Sequence, residues 1–151
     1  MDMGGEERIA APRQVVWEAL NDPEILRQCI PGCQTLEQKS PTELIAAVKL
    51  KIGPVSANFS GEVTLSDVNP PESYTISGEG KGGIAGFAKG SATVTLVEDG
   101  PETLLRYSTT AQVGGKLAQL GSRLIDSTSQ KLAGQFFADF NKAVMAKSGQ
   151  A

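Results

Sequence analysis

Cys29 and Cys33 bracket Ile30-Pro31-Gly32, close enough for two thiolates to share one metal ion. A structural zinc takes four ligands, and this chain has 2 cysteines and no histidine. A CxxxC spacing around a Pro-Gly turn is no better suited to redox work, so the pair reads as reduced, half-buried packing thiols. The run Gly78-Glu79-Gly80-Lys81-Gly82-Gly83 has the GxGxxG spacing of dinucleotide sites. In such sites the glycines follow a buried strand and open a helix whose N-terminus holds pyrophosphate. Here residues 84–90 lead into another strand-like segment. The glycines therefore read as a strand end and hairpin, where they permit strong bending or the close approach of another backbone. Glu6 with Glu7, and Glu98 with Asp99, are adjacent in the chain. Adjacent strand residues point to opposite faces, which makes them poor catalytic pairs. The absence of histidine removes the commonest general base and every Ser-His-Asp or Cys-His arrangement. Acid–base chemistry would have to rest on Asp, Glu, Lys, Tyr or Cys. Asn58-Phe59-Ser60 fits a glycosylation sequon, which carries no meaning without a secretory signal.

Composition narrows the class further. With 151 residues, 40% hydrophobic and 21% charged, the chain reads as one soluble globular domain over 1–147, followed by a flexible tail at 148–151. No apolar run approaches the ~18 residues that a membrane span requires. The first seven residues are acidic and lack the charged start and apolar stretch of a signal peptide, which places the protein in the cytoplasm. Net charge is −3 and the basic residues are scattered, so no stripe is present to meet nucleic-acid phosphate.

The elements that must position any site follow from periodicity and turn chemistry. Residues 5–10 read as a first strand. Pro12 then opens a short helix with Val15, Val16, Ala19 and Leu20 at helical spacing. Asp22-Pro23-Glu24 is the start of a second short helix, with Asp22 as N-cap. Breaks at Ser40-Pro41, Gly53-Pro54, Asn69-Pro70-Pro71 and Asp99-Gly100-Pro101 separate six strand-like segments, at about 34–40, 42–52, 55–68, 72–80, 86–98 and 103–113. Several alternate with period two. Leu44, Ala46, Val48, Leu50 and Ile52 share one face, with Lys49 and Lys51 on the other. One dry and one wet face predict an antiparallel sheet covered on one side. From about Lys116 to Lys147 there is no proline, and Leu117, Leu120, Leu124, Leu132, Phe136, Phe140 and Val144 recur at helical spacing. This predicts one long helix laid across the dry face. The pattern specifies an α+β domain. Aromatics are only 5% of the chain, and the dry face is rich in small residues. Such a face under a long helix either draws the helix closer or leaves a pocket.

The order of one strand, two short helices, six strands and a long helix is similar to the helix-grip arrangement of the START and Bet v 1 superfamily, a curved antiparallel sheet of about seven strands around a C-terminal helix. Four further stretches carry a narrower likeness. They are Val16 to Glu24, Ile30-Pro31-Gly32-Cys33, Gly86-Phe87-Ala88-Lys89-Gly90, and Val113 to Ile125 followed by Phe136-Phe137. Together they resemble the family of carbon monoxide dehydrogenase G subunits over nearly the whole chain, in order. The resemblance implies a helix-grip protein whose genes accompany molybdenum hydroxylases of the carbon monoxide dehydrogenase type. It implies a role in recruiting that enzyme to the inner face of the cell membrane, and a cavity that carries a quinone. Family members commonly continue into a linker and a membrane-binding tail, whereas this chain ends at Ala151. The family has no established catalytic residues to transfer.

These readings converge on a non-catalytic accessory protein with no covalently bound cofactor and no metal site. An apolar ligand, a quinone or lipid, is expected between helix and sheet along Val48, Leu50, Phe59, Val63, Tyr107, Leu120, Leu124 and Phe136. Tyr107 or Thr109 is expected to donate a hydrogen bond to a head-group carbonyl. A surface containing Cys29, Pro31, Gly32, Cys33 and Phe87 is the expected docking face for the hydroxylase. Two alternatives stand beside this reading. One is a docking or maturation module without ligand. The other is an enzyme of the superfamily, a cyclase or hydratase, which would need a charged group facing into the cavity.

Overall fold

The computed structural model describes residues 2–147; the tail expected at 148–151 lies outside them. The strands are β1 (Asp2–Ile9), β2 (Cys33–Ser40), β3 (Glu43–Ile52), β4 (Val55–Asn69), β5 (Ser73–Lys81), β6 (Phe87–Asp99) and β7 (Glu102–Gly114). They form one 7-stranded sheet in the order β1-β7-β6-β5-β4-β3-β2. Every neighbouring pair is antiparallel. The chain therefore enters at one edge, crosses to the other through α1 (Arg13–Leu20) and α2 (Pro23–Cys29), and returns strand by strand. The final helix, α3 (Ser122–Lys147), covers the sheet, with α1 and α2 packed against it. This is the helix-grip arrangement.

Local chemistry accounts for the joints. Pro12 sits at the N-cap of α1, where its missing N–H is not needed. At α2 the Asp22 carboxylate accepts from the Glu24 N–H at 3.0 Å, with Pro23 in the first turn. The Thr103 hydroxyl, fully buried, donates to the Ala11 carbonyl at 2.8 Å. The Asn141 side chain accepts from the Ala10 N–H at 3.1 Å. These two bonds tie the end of β1 to β7 and to α3.

Two elements differ from the sequence reading. β1 starts earlier than residue 5, because Gly4 and Gly5 allow close approach to β7. A Cβ on Gly5 would stand 3.1 Å from the Tyr107 hydroxyl. The single helix expected from Lys116 is broken. Gly115–Leu120 is a 3₁₀ segment, Gly121 has φ +89°, and α3 begins only at Ser122. A left-handed backbone angle is accessible to glycine and strained for other residues. The break lets the segment drop toward the sheet and bury Leu117, which is 2% exposed.

The interior has two parts. The larger cluster joins Trp17, Tyr74, Leu96, Leu105, Phe140 and Val144. The smaller joins Phe59, Ala85 and Leu117, with Val48, Leu50 and Leu120 packed around them.

Candidate functional site

Beside the larger cluster lies a partly open cavity of about 340 Å³ between the sheet and the middle of α3. Its cause is a match of short side chains. Ala133 on α3, Ala92 on β6 and Thr109 on β7 all border it, where bulkier side chains would take up the space. Helix and sheet are held apart around this gap by aromatic rings. Phe136 and Phe137 meet edge-on at 5.2 Å, Phe137 stacks on Tyr107 at 5.3 Å, and Phe136 stacks on Phe140 at 5.6 Å. Leu26 from α2 and Ile30 just after it, with Leu36 from β2, complete the wall.

The lining is almost wholly apolar, and among the described residues no Asp, Glu, Lys or Arg contributes to it. Its polar groups are few. The Asn21 amide donates to the Trp17 carbonyl at 2.9 Å, which leaves its own carbonyl oxygen as an acceptor. The Thr109 hydroxyl donates to the Met3 carbonyl at 3.1 Å, so its proton is already committed. Tyr74 is 4% exposed and meets Trp17 edge-on at 5.2 Å. Burial drives its phenol well above the ordinary tyrosine range, so it remains a neutral donor. Burial, with a lesser contribution from the Glu7 charge, also raises Tyr107.

The residues expected from the sequence divide between the two interior regions. Val63, Tyr107, Thr109 and Phe136 line the cavity. Val48, Leu50, Phe59 and Leu120 belong to the smaller cluster instead, where Phe59 and Leu117 fill the space. Leu124 lies against Gly53 at the β3–β4 turn, outside the cavity. All nine are apolar or weakly polar positions at the right period, but a period does not tell which layer of the sheet lies under which turn of the helix. The sequence reading missed Tyr74, Asn21 and Phe137. Tyr74 carried the available signal, a lone ring alternating with Ser73 and Thr75.

The expected docking residues do not form one surface. Cys29 is 1% exposed in the larger cluster, and the half-buried Cys33 thiol donates to the Thr35 carbonyl at 3.4 Å. Burial pushes both thiols up, aided at Cys29 by the Asp139 charge and opposed at Cys33 by Arg27. Both are therefore weak nucleophiles. Gly32 packs against the Lys49 carbonyl on β3, whereas Phe87 opens β6. Among the described residues no group of three or more Cys, Asp or Glu side chains could hold a metal ion. The glycines at 78–83 end β5 and lead through a one-turn 3₁₀ segment, Gly83–Ala85, into β6, with no following helix to cradle phosphate.

Residues 5–145 match the model of the CoxG family, the G subunits of carbon monoxide dehydrogenase. The chain belongs to that family. No curated protein matches it. Among solved structures, a conserved protein from Geobacillus kaustophilus shares 30% identity and a TM-score of 0.91, over 98% of this chain and 97% of that one. The ZhuI aromatase/cyclase from Streptomyces sp. R1128 shares 9% identity and a TM-score of 0.68, over 98% and 95%. Ara h 8.0201 shares 15% identity and a TM-score of 0.68, over 97% and 98%. The last two are likenesses of fold alone, and they agree with the helix-grip fold described above. Among the described residues no helix is long and apolar enough to cross a membrane.

Proposed function

We propose that this CoxG protein binds an elongated apolar molecule with a hydrogen-bonding head, a quinone or a lipid, in the cavity between α3 and the sheet. It serves as a non-catalytic partner of a molybdenum hydroxylase of the carbon monoxide dehydrogenase type, and carries the ligand between that enzyme and the membrane. One observation carries the reading. The cavity, about 340 Å³ in volume, is lined by apolar side chains with a few convergent polar groups, which is the constitution of small-molecule sites, typically ~300–1,000 Å³. Burial of apolar ligand surface supplies the affinity, and the neutral Tyr74 phenol is positioned as a donor to a head-group carbonyl.

The wall also separates binding from catalysis. A cyclase or hydratase needs an acid or base at the substrate. The lining offers tyrosines, one threonine, one asparagine and one glutamine, with no carboxylate or ammonium group among the described residues. This favours a carrier over an enzyme.

The test is solvent extraction of natively purified protein with mass spectrometry of the extract, followed by titration of the emptied protein with short-chain ubiquinone and menaquinone analogues. A stoichiometric co-purifying quinone or lipid, or saturable uptake, supports the carrier. An empty protein that takes up neither analogue overturns it and leaves a docking module.

A further inference from the structure

The end of the molecule away from the α1–α2 junction gathers the β3–β4 turn, the Gly82–Gly86 connection and the 3₁₀ segment Gly115–Leu120. At its crest Ile84 is 86% exposed, and Phe87 beside it is 41% exposed. The crest is held out by backbone geometry. Gly86 has φ +109° and its Cα lies against the backbone of Gly114 and Gly115, where no side chain fits. Ile84 thus stands on a short turn with most of its side chain in solvent.

Charge at this end is opposite to that of the whole. Residues 2–3, 49–60, 79–90 and 112–126 hold six basic and three acidic side chains, whereas the rest of the chain holds eight basic and fourteen acidic ones. Lys51, Lys89, Lys116 and Arg123 are exposed and form no ion pair among the described residues. Elsewhere the arginines are paired, Arg8 with Asp99 and Glu102, Arg13 with Glu98, Arg27 with Glu24 and Arg106 with Glu6, and the four lysines there lie in a part of the chain where acidic side chains outnumber basic ones. Unanswered cations around a projecting isoleucine are complementary to an anionic surface that has an apolar layer beneath it.

We infer that the Ile84 turn is the face through which the protein touches an anionic lipid bilayer, with Ile84 and Phe87 entering the headgroup boundary and Lys51 and Lys116 resting on lipid phosphates. The occupant is a bilayer rather than a protein, because a stable protein interface needs ~800 Å² from each partner around an apolar centre. One projecting side chain among flexible lysines does not supply that. A bilayer asks only for a small apolar insertion and nearby positive charge, each base adding a modest, salt-screened attraction. The inference rests on the membrane contact proposed above and assigns it to a face; it is independent of what fills the cavity.

The experiment is vesicle flotation of the protein with phosphatidylcholine, with and without phosphatidylglycerol, at low and high salt. Binding is expected with phosphatidylglycerol only, and it weakens as salt rises. Ile84→Asp is expected to lower the partition coefficient by about tenfold or more, from the loss of one buried isoleucine. Val97→Asp, at an exposed apolar position on the far end of β6, is expected to leave it unchanged. Both variants should melt as the parent does and still take up quinone analogue. Parent binding that is equal in Ile84→Asp overturns this face while the membrane reading stands. A parent that does not float with anionic vesicles overturns both. Loss of binding to purified hydroxylase in Ile84→Asp, without vesicle binding by the parent, assigns the face to the enzyme and overturns the inference.

Discussion

Ala133→Phe is the substitution that most directly tests the cavity. Ala133 faces the gap from the middle of α3, and a phenyl ring there would take up roughly a quarter of the 340 Å³. Filling that space returns at most about 2 kcal/mol, at ~24 cal/mol per Å³. Off-rotamer strain of ~1–3 kcal/mol opposes it. Stability should therefore stay close to that of the parent, with Tm moving by a few degrees at most for a domain of this size. Uptake should weaken. A displaced ligand loses the burial of two or three methylene equivalents at ~0.8 kcal/mol each, about 2 kcal/mol, or roughly thirtyfold in Kd. The assay is built into the molecule. Trp17 is the single tryptophan and sits 5.2 Å from Tyr74, which lines the cavity, so a quinone bound there quenches its emission. A quenching midpoint equal to the parent's, in a variant that melts normally, would refute the placement of the ligand.

Leu117→Ala hollows the smaller cluster, where Leu117 is 2% exposed; it should cost ~2–5 kcal/mol in denaturant unfolding yet leave the quenching midpoint unchanged in the folded fraction. Gly121→Ala should cost about 1–3 kcal/mol, because φ is +89° there. Gly134→Ala, on an open stretch of α3, should stabilise by ~0.5–1 kcal/mol; calorimetric melting compares the two, and equal effects would contradict the break before α3. Tyr74 tests the pH dependence. Its phenol is neutral in the folded protein well past the ordinary tyrosine pKa, so above about pH 10 the unfolded chain loses a proton that the folded one keeps. Stability is complete below that pH and falls as pH rises through it. Tyr74→Phe should flatten this fall in alkaline thermal melts, and an unchanged slope would show that the phenol ionises freely.

Much of the architecture was legible from single residues. Asp22-Pro23 announced the second helix, the Gly53-Pro54 and Asp99-Gly100 turns separated strands, and Leu44 to Ile52 against Lys49 and Lys51 separated a dry face from a wet one. These are local signals, because capping, turn geometry and period-two alternation act within a few residues. The end of the long helix was read too far toward the N-terminus, since Leu117 and Leu120 keep a helical spacing that the backbone at Gly121 does not continue.

The site was legible only in kind. Small residues facing a long helix left two outcomes open, closer packing or a gap; the structure has a gap there, bordered by Val63, Tyr107, Thr109 and Phe136. Which inward residues meet empty space, and which meet Phe59 or Leu117, was decided by the register of β3 on β4 and by the point where α3 starts. Those are long-range quantities. Periodicity determined the faces of the strands and of α3 by local sterics, whereas the depth of each residue along the grip was settled by packing between elements distant in the chain, such as β6 and α3, whose Ala92 and Phe136 border one cavity.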